Sequence, residues 1–201
     1  MMRMKWIDIS RELFSAPVYE GDPYPELEPL QRLAHGDGYN LSMLHACLHN
    51  GTHIDAPLHM LEDGASIDRL PPDVFMGECR VACFSHEIIT GTDIEGLGLR
   101  GMYRRLLIRG NGRCALSRSG AYVLADEGLL LVGIDAPTIG IPTEDILVHR
   151  ILFESGAAIL EGLDLSRAPA GNYDLYAAPL NLAGAEAAPC RAFLRVRSIS
   201  L

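Results

Sequence analysis

The sequence predicts a mixed α/β fold arranged as one domain over residues 1–201, on three observations. Residues 129–134 and 157–163 are short, almost unbroken apolar runs, the pattern of strands buried on both faces. Segments with helical start and stop signals lie beside them: residues 119–127 before Gly128, and a longer one that opens on Pro142 and Thr143 and ends at Gly156. The chain has 201 residues, 48% of them hydrophobic, enough for one sizeable core, and it shows no repeat, low-complexity tract or linker that would divide it.

Trp6, Ile7, Asp8, Ile9 and Ser10 alternate as an opening strand. Residues 16–25 hold Pro17, Gly21, Pro23 and Pro25, too many turn formers for a regular element, and they carry Tyr19 and Tyr24. A stiff loop bearing aromatics is either a lid over a pocket or a brace against a partner subunit. His35 sits in a turn with Gly36 and Gly38 and reads as solvated. Residues 41–48 are apolar without a turn former and read as a strand that carries its direction into residues 49–59. Residues 62–66 form a turn, and residues 67–75, with Pro71 and Pro72, an irregular or briefly helical connection. Strands follow at 77–84 and 105–109, separated by a helix-like segment at 92–95 that Gly96 and Gly98 interrupt. Asp135 stands at the carboxyl end of the buried run, where α/β proteins place their sites, and is a site residue or a turn former. In the helix from Pro142, Ile146, Leu147 and Ile151 make the buried side and His149 lies among them. Residues 171–174 read as a turn and residues 192–196 as part of a closing strand.

Net charge is -9 and no basic run occurs, which argues against nucleic acid or an anionic membrane as partner and leaves small molecules. The start of the chain, Met1 to Asp8, lacks the apolar core of a signal peptide, and no apolar run is long enough to span a bilayer, so a cytoplasmic protein is expected. The five cysteines are odd in number and scattered, as reduced thiols are; Cys79 and Cys83 read as packing residues of a strand.

The chemistry concentrates in residues 49–59, where His49, His53, His59 and Asp55 fall within eleven positions. On an extended chain His49, Gly51, His53 and Asp55 project to one side, and a glycine between the two histidines leaves space for an ion. Two imidazoles and a carboxylate suit zinc, and also manganese, iron or nickel. His45, His49 and His53 would also make one stripe of a helix, but Gly51, Thr52 and Ile54 are poor helix formers and Pro57 would break it. Pro57 instead fixes a loop that returns His59 as a further ligand or a proton carrier. Glu161 ends an apolar run and needs a cationic partner, because desolvating an unpaired carboxylate costs several kcal/mol. That partner is either an arginine such as Arg150 or Arg167, or a metal site completed by His149 and shared with His49, His53 and Asp55.

These residues resemble the cyclase family that includes bacterial kynurenine formamidase and isatin hydrolase: His49-x-Gly51-Thr52-His53-x-Asp55-x-Pro57-x-His59, then His149 and, twelve residues later, Glu161-Gly162-Leu163. Asp8-Ile9-Ser10, Pro17-Val18-Tyr19-x-Gly21-Asp22, Gly133-Ile134-Asp135-Ala136-Pro137 and Ala188-Pro189-x-Arg191-Ala192 extend the likeness over nearly the whole chain. The resemblance implies an α/β domain of the swivelling β/β/α kind, a homodimer or homotetramer, and two divalent ions per subunit, zinc or manganese. It implies His49, His53 and Asp55 on the first ion, Asp55, His149 and Glu161 reaching the second with Asp55 and Glu161 shared, and His59 as proton donor and acceptor. Tyr19 takes the place of a tryptophan that contacts aromatic substrate in kynurenine formamidases, and Glu20 replaces their usual proline. The implied activity is arylformamidase-type hydrolysis of N-formyl-L-kynurenine to L-kynurenine and formate, with hydrolysis of a cyclic amide or lactone, as by isatin hydrolase, the alternative. Two remoter readings use some of the same ligands: a mononuclear iron oxygenase built on His53, Asp55 and His149, and a metal-binding protein without catalysis.

Overall fold

The computed structural model describes residues 6–197; the reading of Met1–Lys5 lies outside the described residues. The elements run β1 (Trp6–Asp8), β2 (Glu26–Gln31), β3 (Leu41–His45), β4 (His53–Asp55), β5 (Met76–Cys83), β6 (Ile88–Ile89), α1 (Gly91–Glu95), β7 (Arg105–Arg109) and β8 (Ala115–Leu116). They continue with α2 (Arg118–Asp126), β9 (Leu131–Ile134), α3 (Asp145–Glu154), β10 (Ala158–Glu161), β11 (Gly171–Tyr176), β12 (Ala187–Pro189) and β13 (Phe193–Val196). Among the described residues no helix is long and apolar enough to cross a membrane.

Nine strands form one sheet in the order β1-β13-β11-β5-β7-β9-β10-β4-β12. Its centre, β5-β7-β9-β10, is parallel, because each strand there is joined to the next through a helix; the flanks are antiparallel. Period-2 alternation divides the side chains between two cores. Leu106, Ile108, Val132 and Ile159 face α2 and α3, while Leu107, Leu131, Ala158 and Leu160 face the other side with Ile54, Val81, Leu175 and Leu194. The sheet curls around that second core until its two ends meet: Ser10, beyond β1, bridges Leu163, beyond β10, and Asp8 takes the Arg191 guanidinium. The fold is the mixed α/β architecture expected.

Four local expectations change. Residues 171–174 are the start of strand β11, not a turn, because Tyr173 and Leu175 enter the core while the turn-forming types face outward, Asn172 accepting from Arg80 and Tyr103 and Asp174 from Arg195. Ile146 and Leu147 are exposed; the buried side of α3 is Val148, His149, Ile151, Leu152 and Phe153. Cys79 is buried but Cys83, four residues on, is exposed at the end of β5, so only the first packs. The run 41–48 does not continue straight into the motif. Its strand ends at His45, pairs only with β2, and a turn intervenes before β4.

Candidate metal centre

Strand β4 is the floor of the site. Ile54 enters the core inside the curl, so His53 and Asp55 on either side of it face α3. Antiparallel pairing sets Glu161 of β10 directly beside His53 and Ile159 beside Asp55, which puts the two carboxylates on one face of adjacent strands. The second turn of α3 then lowers His149 onto them, its Nε2 3.3 Å from Glu161 Oε1 and 3.9 Å from Asp55 Oδ2. His49 comes from the turn before β4, with Nδ1 2.9 Å from Asp55 Oδ1. A 3-10 turn over Pro57–His59 brings in His59, whose ring centroid lies 4.4 Å from that of His49 and 6.0 Å from that of His149.

Gly51 serves the turn rather than the ion. It adopts φ +67°, and a Cβ there would meet Leu13, not the space between His49 and His53. Opposite it, Gly162 has φ +65°, and a Cβ would stand 2.1 Å from the Gly51 carbonyl oxygen. Two glycine backbones in contact, tied by the Thr52 hydroxyl donating to the Gly162 carbonyl at 2.7 Å, hold the end of β10 against the start of β4.

Both buried imidazoles are oriented from behind. His53 Nδ1 lies 3.0 Å from the Gly51 carbonyl and His149 Nδ1 2.9 Å from the Asp145 carbonyl. Each Nδ1–H therefore donates to a carbonyl and leaves Nε2 with a lone pair aimed at the carboxylates, the arrangement of metal-ligating histidines. Asp145 also accepts from the Thr138 hydroxyl and the Gly140 amide, and Glu161 from the Ile139 amide at 2.8 Å, so the loop after β9 is fastened to the same cluster.

The two carboxylates have only imidazoles as counter-charge in their cavity. Asp55 and Glu161 are buried, and no lysine or arginine lines their cavity. Burial raises a carboxylic acid, yet the imidazoles of His53, His49 and His59 hold Asp55 well below the usual carboxylate range. Glu161 is raised by burial and by the Asp55 charge, against the contact with His149. Burial disfavours the charged form of His149, but Glu161 overrides it and pushes the imidazole up to about 9. His49 is raised by Asp55 in spite of its burial, whereas burial and the neighbouring His49 and His149 lower His59 against Asp55. Within this cluster His53 Nε2 and both Asp55 oxygens are buried with no partner in hydrogen-bonding geometry, although His49 Nδ1 approaches Asp55 Oδ1 to 2.9 Å. Orphaned acceptors at such a site fit a divalent ion, whose field replaces the protons that His149 and His49 otherwise attract.

Two sets of ligand atoms lie within 4.8 Å of one another: His49, Asp55 and His59, and His53, Asp55 and Glu161. Asp55 belongs to both. The structure brings the five expected ligands and His59 into one cluster, but groups them otherwise than expected: His53 falls with Glu161 rather than with His49, His59 joins His49 and Asp55 as closely as a ligand would, and His149, 3.3 Å from Glu161, belongs to neither set. The arginine alternative for Glu161 fails, since Arg167 donates to the Asp8 carbonyl and the carboxylate meets His149 and His53. Asp135 lies outside the cavity and accepts from the Gly110 amide, the turn role of its two readings. Tyr19 lines the cavity, about 270 Å³ in volume, while remaining over half exposed. Sequence reasoning missed Asp22, Met60, Thr138, Asp145 and Ile146 in the wall, and Glu186, whose carboxylate lies 3.6 Å from His49 Nε2. Only Asp145 had a readable signal, four residues before His149 on one helix face.

The Cyclase family model matches residues 7–140. A structure described as a potential metal-dependent hydrolase with cyclase activity superposes with a TM-score of 0.84 at 32% identity, over 98% of this chain and 100% of the other. A predicted metal-dependent hydrolase from Bacillus stearothermophilus does so with a TM-score of 0.84 at 33% identity, over 97% and 100%. Isatin hydrolase A from Labrenzia aggregata, bound to benzyl benzoate, shares the fold with a TM-score of 0.81 at 18% identity, over 97% and 94%. With a family match over more than half its length and relatives at about one-third identity end to end, the chain belongs to the Cyclase family.

Proposed function

We propose that the protein is a metal-dependent hydrolase that cleaves the C–N bond of a small amide, in the arylformamidase manner, converting N-formyl-L-kynurenine to L-kynurenine and formate. The observation that carries the reading is the pair of buried carboxylates, Asp55 and Glu161, faced by His49, His53, His59 and His149 at the floor of a cavity with no lysine or arginine in its lining. The two relatives at about one-third identity, both described as metal-dependent hydrolases, support the reaction class.

His49, His53, Asp55, His149 and Glu161 would hold two zinc or manganese ions, with Asp55 common to both. Such an ion, when bound, lowers the pKa of water from near 15.7 to about 7 and polarises a carbonyl oxygen. His59 is half-buried at the cavity wall, and its lowered pKa keeps the ring neutral and able to accept a proton. It takes the proton of the attacking water and returns it to the departing nitrogen, which must leave as a neutral amine. Tyr19, Met60, Pro137 and Ile146 supply the apolar wall for an aromatic ring. Asp145 and Gly51 hold the buried imidazoles by their Nδ1 atoms, so the cluster meets substrate without reorganising.

One observation favours a second reading. The cavity, about 270 Å³, lies just below the range of about 300–1,000 Å³ usual for ligand sites, which suits a compact cyclic amide or lactone such as isatin. The test is metal analysis joined to a rate assay on N-formyl-L-kynurenine and isatin with one purified sample. About two equivalents of zinc or manganese with formamide turnover is the expected result. Turnover of isatin alone moves the substrate to the second reading. Native iron with oxygen consumption, or metal with no hydrolysis of any amide, would overturn the proposal.

A further inference from the structure

The loop that carries Tyr19 to the cavity also carries a carboxylate there. Tyr19-Glu20-Gly21-Asp22 is a tight turn: the Asp22 amide donates to the Tyr19 carbonyl at 3.0 Å, and Gly21 takes the positive φ, +98°, that the third position of a type II turn requires. The first and fourth residues of one closed turn, an aromatic ring and a carboxylate, therefore line the cavity side by side. Four carboxylates belong to that lining, and three of them have partners. Asp55 and Glu161 meet the imidazoles of the candidate metal centre, and Asp145 accepts from the Thr138 hydroxyl at 2.8 Å and the Gly140 amide at 2.9 Å. Asp22 differs. Among the described residues its carboxylate meets no cationic side chain, and its hydrogen-bond partner is a thiol, the Cys47 sulfur 3.9 Å from Oδ2. Asp22 precedes β2 and Cys47 follows β3, so this contact closes the root of the two-stranded β2–β3 hairpin. A thiol is a weak donor and leaves most of the acceptor capacity of a carboxylate unused. Asp22 is also half-buried, which screens its charge less than open surface would.

We propose that Asp22 determines specificity at this site by receiving an ammonium that the substrate carries on a side chain remote from the bond to be cut, while Tyr19 packs on the substrate ring. The proposal rests on the hydrolase reading and names its substrate class: an aryl amide with a cationic side chain. No lysine or arginine lines the cavity, so the counter-charge for Asp22 has to arrive with the ligand. A ligand that offers only a carboxylate at that position is disfavoured by the same argument. The net charge of -9 acts in the same direction, since it raises the local concentration of cations and lowers that of anions. N-formyl-L-kynurenine meets the requirement, because its ammonium and carboxylate share one carbon and the ammonium is free to turn inward. Isatin carries no such group.

Calorimetric titration of the metal-loaded protein tests the proposal with four ring probes: ortho-aminopropiophenone, which is neutral, and its derivatives with an ammonium, a carboxylate or both at the end of the propanoyl chain, the last being L-kynurenine. None contains a formamide, so binding is read without turnover. The ammonium probe should bind about tenfold more tightly than the neutral one, and the carboxylate probe more weakly than either. In wild type the preference should shrink with added salt. Asp22→Asn should abolish it while metal content holds and the neutral probe's Kd changes by no more than about twofold; Asp22→Glu should restore part of it. No ammonium preference in wild type, or a preference that survives Asp22→Asn, overturns the proposal and leaves the hydrolase reading intact. An equal shift of all four probes in Asp22→Asn overturns it too, since the side chain would then only shape the turn. Failure of every probe to bind overturns it as well, and turnover of N-formyl-L-kynurenine by the same sample decides whether the hydrolase reading falls with it.

Discussion

His59 shows how one ring position separates two chemistries. Its nitrogens are close enough to His49 and Asp55 to ligate an ion, yet the ring is only half-buried, borders the cavity, and has no backbone carbonyl fixing its tautomer among its hydrogen bonds, unlike His53 and His149. A ligand is held from behind; a proton carrier must be able to exchange. We expect His59→Ala to keep its metal and to lose about 10²- to 10⁴-fold in kcat, read by metal analysis and turnover on one sample. Loss of an equivalent of metal would make His59 a ligand instead. Asp55 gives the opposite expectation, because it belongs to both ligand sets. Asp55→Ala should lower metal content toward zero and stability by on the order of 3 kcal/mol, the usual loss when one member of a buried charged cluster is removed. Urea denaturation with metal analysis checks both, and unchanged metal content would end the bridging role. The residues of the site were legible from their types and spacing. What held them was not, apart from Asp145, since Thr138 and Glu186 are ordinary polar residues until the fold places them.

At the scale of elements, the decisive feature is a contact between two turns. The 48–52 turn redirects the chain from the hairpin into β4, and the turn after β10 meets it backbone to backbone at Gly51 and Gly162. A reading of the motif as one extended strand captured the common face of His53 and Asp55, which β4 does present, but not His49, which arrives from the turn. Gly162→Ala should be costly for two reasons, the positive φ and the 2.1 Å approach to the Gly51 oxygen. A loss of about 1–3 kcal/mol is expected for such strain, with weaker metal binding as Glu161 is displaced from His53. Thermal denaturation and a metal titration would measure the two. A variant with the wild-type midpoint would show that the turns are not locked together. Turn-forming residues misled the reading once: Gly171, Asn172 and Asp174 belong to β11, where neighbouring side chains satisfy them and the alternating Tyr173 and Leu175 decide the structure.

Across the whole molecule, the curl of the sheet makes the site possible, and Asp8 with Arg191 latches that curl near the meeting of β1 with β10. Asp8 is held down to about 2 by the Arg191 guanidinium against a small burial effect, with the Ser10 amide assisting. A carboxyl whose folded pKa lies below its ordinary 3.8 stabilises the fold above that value, and the contribution is lost as pH falls toward 2. Asp8→Asn should therefore lower the thermal midpoint modestly at neutral pH. The difference from wild type should hold above about pH 4 and shrink below it; a difference that grows on acidification would contradict the assignment. By itself the sequence pointed to a metal centre, because imidazoles and carboxylates at this spacing suit a divalent ion, and it determined the α/β class, because apolar runs and helix signals alternate. Only the tertiary structure decided that Glu161 lies beside His53, that His149 descends on both, and that Ile146 and Leu147 are left exposed. Those relations depend on strand register and on how a helix seats on a sheet, which are set by packing between residues more than a hundred positions apart. The hairpin belongs to the same class: β3 reads as an ordinary apolar strand, and its exposure among the described residues is seen only once the fold is in place.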